Sequence, residues 1–174
     1  MEELTEEQLE CLRGCNEYLY YFKMRERFES RVCAFCHPEV FNNEILFENE
    51  GWTVWKVPQG YSSYGEVLAT QLVYFPRRHI RHLNALTEAE RTSFWKVIDW
   101  IYERYEIPGG AFFVRVGDMR YNVGTVPHLH FNLWVPDRTG SVIVPIQKSH
   151  EMNEEHTRRA QEFARRYASG EAPD

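Results

Sequence analysis

Residues 125–136 read Thr-Val-Pro-His-Leu-His-Phe-Asn-Leu-Trp-Val-Pro. His128, His130 and Asn132 fall at every second position, with Leu129, Phe131 and Leu133 between and beyond them. On a β-strand, successive side chains point to opposite faces. The pattern predicts one apolar face turned to a core and one polar row of two imidazoles and an amide on a stiff element. Two histidines so placed could ligate a metal, act as nucleophile or base, or be partly buried polar residues. Gly124-Thr125 precedes the row, supplying flexible backbone and a hydroxyl near the same mouth. Pro127 and Pro136 bracket the row and confine it to an edge or a strand end.

A second group of potential ligands lies upstream in Cys33-Ala-Phe-Cys36-His37-Pro38, a compact knuckle, and His79 and His82 follow later. With no export signal, the four cysteines are expected to be reduced, so a Cys pair points to a metal site or to plain thiols rather than to a disulfide. Cys-x-x-Cys-His also fits c-type haem attachment, a chemistry carried out beyond the cytosol. A four-cysteine site using Cys11 and Cys15 is geometrically open, but it leaves His79 and His128 without a role.

The elements that must position these groups follow from capping and periodicity. Thr5 with Gln8 forms a capping box opening a helix to about Phe28, with Leu9, Leu12, Leu19 and Phe22 as a partial stripe. Strands are expected at Ile45–Asn49, Trp52–Val57 and Glu66–Phe75, the first two joined by a tight turn at Glu50-Gly51. Residues 59–65 read as a loop. Thr87 with Glu90 opens a helix to about Tyr105, whose buried stripe is Phe94, Val97, Ile98, Ile101 and Tyr105. Its other aromatics, Trp95, Trp100 and Tyr102, read as core or as an interface between copies. Pro108-Gly109-Gly110 breaks it. Ala111–Val116 and Val126–Val135 are the last strands, and a charged helix runs from Ser149 to about Ala168 with a solvated face. Helix, strands, helix, paired strands and helix argue an α+β fold with an antiparallel sheet.

The chain of 174 residues suits one domain with appended helices, and 43% hydrophobic and 15% aromatic residues are enough for a core. A net charge of −6 makes nucleic acid an unlikely partner, without excluding a local basic pocket. No apolar run reaches membrane-spanning length and the first residues lack signal-peptide character, so the expected setting is cytoplasmic, away from membranes.

Taken together, His128-Leu129-His130-Phe131-Asn132-Leu133-Trp134, Cys33-x-x-Cys36 and Pro76-Arg77-Arg78-His79-Ile80, in this order and with a helix between the last element and the signature, resemble the histidine triad (HIT) superfamily. The resemblance covers about Cys33 to Pro136. It implies a HIT-like domain at 31–148, flanked by a helical extension at 1–30 and a C-terminal helix and tail at 149–174. It implies that His130 is the nucleophile, attacking the α-phosphorus of a nucleotide or nucleotide conjugate to form a covalent nucleotidyl-histidine. Thr125 then matches a phosphate-contacting hydroxyl, and amides near Gly124 help cradle charge. It further implies a structural zinc held by Cys33, Cys36, His79 and His128, with His37 and His82 as near substitutes for His79. Relatives often pair as homodimers.

Two departures qualify the expectation. Asn132 stands where hydrolases of the family have a third histidine. An amide can donate to a phosphate oxygen but cannot protonate a leaving group. This favours leaving groups that depart as stable anions, and transfer or phosphorolysis over plain hydrolysis. Val54–Pro58 also lacks the carboxylate that holds ribose hydroxyls in many members; Lys56 there reads as a solvated lysine. A non-catalytic nucleotide-binding or interaction protein that keeps the fold and the zinc is the alternative.

Overall fold

The computed structural model describes residues 3–37, 44–57, 68–122, 124–141, 144, 146 and 150–173, with residues 150–153 described by their backbone alone. The order is α1 (Glu6–Arg13), α2 (Tyr18–Glu29), β1 (Ile45–Glu48), β2 (Trp52–Lys56), β3 (Leu68–Pro76), α3 (Glu88–Arg104), β4 (Ala111–Arg115), β5 (His130–Pro136) and α4 (His150–Ala168). The strands make one antiparallel sheet in the order β1-β2-β3-β5-β4. The expected α+β class with an antiparallel sheet is what the chain adopts.

Period-two alternation divides the sheet into two faces. On one, Trp52, Val54, Leu72, Tyr74, Leu133 and Val135 pack against Val97 and Ile101 of α3. On the other, Trp55, Val73 and Phe75 pack with Phe35 and with residues of α1, α2 and α4, among them Leu12, Tyr21 and Phe163. The sheet is therefore a layer between α3 and a three-helix cover. Burying aromatic and aliphatic groups on both faces stabilises the arrangement by about 1.5–3 kcal/mol for each large side chain.

Both expected capping boxes form. Thr5 Oγ1 accepts from the Gln8 amide while Gln8 Oε1 accepts from the Thr5 amide, and Thr87 and Glu90 do the same at the start of α3. Glu90 does more than cap. Its carboxylate takes a fork from Arg78 (Nε 3.1 Å, Nη2 2.8 Å), and its carbonyl accepts from Trp52 Nε1 at 2.8 Å. Arg78 also donates to the Ala85 carbonyl. The segment after β3, which carries His79, is thereby tied to the α3 N-terminus.

Several expectations need correction. The helix from Thr5 to Phe28 is two helices, because Gly14–Glu17 forms a corner. A Cβ at Gly14 would lie 3.0 Å from Thr125 Cγ2 and 3.2 Å from the Cys11 carbonyl, so a side chain at the corner would push Thr125 back by a few tenths of an ångström. Breaking the helix re-phases its buried face: Leu9 is exposed, whereas Cys11, Leu12, Cys15, Tyr18, Tyr21, Met24 and Phe28 are buried. Trp95 and Tyr102 of α3 are exposed rather than core. Strand β5 begins at His130 rather than Val126, since Pro127 has no N–H and the His128 amide turns back to the Val126 carbonyl. The α4 face is not wholly solvated, because Phe163 packs against Tyr18 and Tyr21. Residues 59–67 and the expected helix start at Ser149 lie outside the described residues.

Candidate functional site

Cys33, Cys36, His79 and His128 converge so that their four ligand atoms lie within 4.8 Å of one another. Cys33 Sγ is 3.4 Å from His128 Nδ1, Cys36 Sγ is 3.3 Å from His79 Nδ1, and Cys36 Sγ is 3.6 Å from His128 Nδ1. Tetrahedral bonds of about 2.3 Å to sulfur and about 2.0 Å to nitrogen place neighbouring S and N ligands roughly 3.5 Å apart. The three sulfur–nitrogen spacings match that value, and the four atoms could together hold one tetrahedral ion. His128 Nε2–H donates to the Pro76 carbonyl at 2.8 Å, which fixes the tautomer and leaves the Nδ1 lone pair toward the thiols. Of the possible histidines, His79 and His128 join the cysteines; His37 and His82 are outside the cluster.

The electrostatics of the thiols suit a ligand set. Burial pushes the Cys33 thiol up, but its hydrogen-bonded contacts with His128 and His79 outweigh it and bring the group well below the usual thiol range. Burial and the charge on Cys33 then push Cys36 up. One proton leaves readily and the second is held, the situation in which a bound cation releases the second.

His130 and Asn132 share the sheet face that bears the three-helix cover, and both are buried. In register, His130 lies opposite Arg115 of β4, and Asn132 sits between Val73 of β3 and Phe113 of β4. His130 Nδ1–H donates to the His128 carbonyl at 2.7 Å, so Nε2 carries the lone pair. Desolvation, with Arg115 and His128 adding repulsion, lowers its pKa to about 4 against the support of that carbonyl. It is a neutral imidazole throughout the physiological range. Phe35, from between the two cysteines, packs edge-on to both His128 and His130, with ring centroids 5.7 and 5.1 Å away. The knuckle thus contributes its cysteines to the Cys/His cluster and its aromatic ring to the sheet face.

Asn132 Nδ2 is buried and has no hydrogen-bond partner among the described residues. An unsatisfied buried donor costs about 1–3 kcal/mol, which an incoming acceptor would relieve. The Gly124 N–H donates to Asn122 Oδ1 at 2.7 Å. A side chain there would run into Met119 Sδ, which accounts for the glycine by packing. Lys56 is exposed at the end of β2, as expected.

Three residues escaped the sequence reading. Arg115 sets a cation beside His130, and its guanidinium lies over Phe113 at 5.2 Å. Phe35 lay inside a motif read only for its cysteines. Tyr20, from α2, places its hydroxyl 2.5 Å from Thr125 Oγ1. Alternation of residues marks Arg115 as facing with His130 once β4 and β5 are paired, but no local signal marks Tyr20. A cavity of about 210 Å³ lies under α2, lined in part by Met24, Phe28, Cys33, Val126 and Pro127.

No family model matches the chain, and no curated protein matches it. Among solved structures, it is similar to a histidine triad nucleotide-binding protein from Candida albicans (17% identity, 76% of this chain and 98% of that one, TM-score 0.47). It is also similar to a HIT family hydrolase from Clostridium thermocellum (20%, 64% and 96%, TM-score 0.46) and a Zn-bound histidine triad family protein from Mycobacterium smegmatis (16%, 80% and 99%, TM-score 0.44).

Proposed function

We propose that this chain is a histidine-triad-type protein that binds a nucleotide or nucleotide conjugate, and that His130 attacks its α-phosphorus to form a covalent nucleotidyl-histidine. The observation that carries the reading is the state of His130: neutral, with Nδ1–H committed to the His128 carbonyl and Nε2 left as the nucleophilic nitrogen. An enzyme that splits one displacement into two through such an intermediate uses its phosphate contacts twice. Asn132, with its unpartnered amide, donates to a phosphate oxygen, and Thr125 adds a hydroxyl. Arg115 contributes positive charge beside the pentavalent centre.

The amide at position 132 has no proton to give. The reading therefore favours leaving groups that depart as stable anions, and nucleotidyl transfer or phosphorolysis over hydrolysis of phosphoramidates. Zinc is the ion proposed for Cys33, Cys36, His79 and His128. Two thiolates and two imidazoles fill its coordination, so it would be structural, joining the knuckle to the segment that leads into β5.

Incubation with α-labelled nucleotides, nucleotide sugars and dinucleoside polyphosphates, followed by intact-protein mass measurement, tests the reading. A nucleotidyl adduct that disappears in His130→Ala supports it; no adduct from any of these substrates sinks it. One observation favours a second reading, a non-catalytic nucleotide-binding or interaction protein: α1, α2 and α4 cover the His130 face, and His130 keeps only 7% exposure. Nucleotide binding without adduct would select that alternative.

A further inference from the structure

The Tyr20–Thr125 contact is the point where the helical cover touches the residue expected to meet phosphate. Two features bring it about. Gly14 lets the α1–α2 corner come within van der Waals distance of Thr125, where a Cβ would already be 3.0 Å from Thr125 Cγ2. One turn and more into the chain beyond that corner, Tyr20 sets its phenol 2.5 Å from Thr125 Oγ1, both residues being half-buried. Tyr20 heads a helical stripe that continues through Met24, Arg27 and Phe28, at spacings of four, seven and eight residues. Those three line the cavity under α2, which is also lined by Val126 and Pro127, next in sequence to Thr125. The stripe therefore borders the cavity as well as the core.

A hydroxyl has one proton and two lone pairs. When Thr125 gives its proton to a phosphate oxygen, its oxygen is left to accept, and the phenol of Tyr20 is the donor within reach. We propose that Tyr20 is a positioning residue for anion binding: its O–H donates to Thr125, fixes the Thr125 rotor, and polarises the Thr125 O–H toward a bound nucleotide phosphate. A hydrogen bond received strengthens the one given, so the two hydroxyls act as a chain. This rests on the nucleotide reading above but adds a residue from α2, a helix outside the resembling segment.

The test is a double-mutant cycle on the full chain, reading the Kd for AMP by calorimetry, with melting temperatures measured alongside. Tyr20→Phe keeps the ring and removes the donor; Thr125→Val keeps the shape and removes the hydroxyl. Each single change is expected to weaken AMP binding by roughly tenfold, and the double variant by no more than about tenfold, because Tyr20 acts through Thr125. Thr125→Ser, which keeps the hydroxyl, restores the sensitivity to Tyr20→Phe. 3-Fluorotyrosine at position 20 preserves the fold and sharpens the donor, and is expected to tighten binding about twofold at pH 6. Independent losses that multiply to about a hundredfold, Tyr20→Phe binding like the parent, or no AMP binding by the parent overturns the proposal. A non-additive cycle without a His130 adduct leaves this inference standing and removes the catalytic reading. An adduct with a multiplicative cycle does the reverse.

Discussion

His130 Nδ1 lies 2.7 Å from the carbonyl oxygen of His128, whose own ring reaches the cysteines through Nδ1 and the Pro76 carbonyl through Nε2. One residue thus joins the Cys/His cluster with its side chain and fixes the tautomer of the candidate nucleophile with its backbone. Anything that moves His128 must disturb both.

Metal removal is therefore expected to reach beyond the knuckle. Chelation, or Cys36→Ser, should lower stability by about 3 kcal/mol, roughly 10 °C in Tm for a domain of this size. One equivalent of zinc per chain is expected by elemental analysis. A metal-free protein that melts where the parent melts would contradict the tetrahedral assignment.

His130 makes a pH prediction with a definite sign. Its folded pKa is lowered to about 4, below the unfolded value near 6.5. The neutral native ring costs nothing above about pH 6.5, where both states are unprotonated. Between about 6.5 and 4 the unfolded chain takes up the proton first, so about 3 kcal/mol of stability is lost across that window as pH falls. The direct measurement is an NMR titration of the labelled imidazole, in which His130 should stay neutral down to about pH 5. Titration near 6.5 would show that the face is wetter than its burial indicates.

Asn132→His supplies a proton donor at the position where the amide has none. Cleavage of a nucleoside phosphoramidate is expected to rise by at least about tenfold, while substrates with pyrophosphate leaving groups change little. Equal effects on both substrate types would mean that position 132 does not address the leaving group.

Glu7 holds α1 to the sheet side of the molecule, its carboxylate accepting from the Met119 amide at 2.9 Å and pairing with Arg81. Glu7→Ala is expected to cost about 1–2 kcal/mol. It should also speed thiol labelling of Cys11 and Cys15, which are 0% and 1% exposed. Unchanged labelling would show that the cover is anchored elsewhere.

Gly110, ahead of β4, is a packing glycine. A Cβ there would stand 2.6 Å from the Trp134 carbonyl oxygen of β5, a backbone atom with little freedom to retreat. Gly110→Ala is expected to destabilise by about 1–3 kcal/mol, read by chemical denaturation.

How much of this was legible in the chain depends on the range of the interactions. The capping boxes at Thr5 and Thr87 were legible because three-residue hydrogen bonds are written locally. The Cys33, Cys36, His79 and His128 quartet was named through resemblance, and it does assemble across 95 residues of separation between Cys33 and His128. The break at Gly14 was not legible, since a lone glycine is tolerated within a helix and only Thr125, far along the chain, decides the matter. The same holds for Tyr20, whose partner is 105 residues away. The late start of β5 was half-visible in Pro127; what the sequence could not show is that the His128 amide would be spent on Val126.

The cover over the His130 face is assembled from separate stretches of the chain. Phe163 of α4 packs against Tyr18 and Tyr21, Arg159 reaches the Cys15 carbonyl, and the Tyr18 hydroxyl donates to the Glu171 carbonyl. Among the described residues, the last strand of the sheet ends at Pro136. Each of these strands, and each of Cys33, Cys36, His79 and His128, precedes in the chain the helix that clasps α1 and α2. A chain cut just before α4 would keep these strands and all four ligands without the clasp on α1 and α2, and it is expected to take up metal faster than the full-length protein.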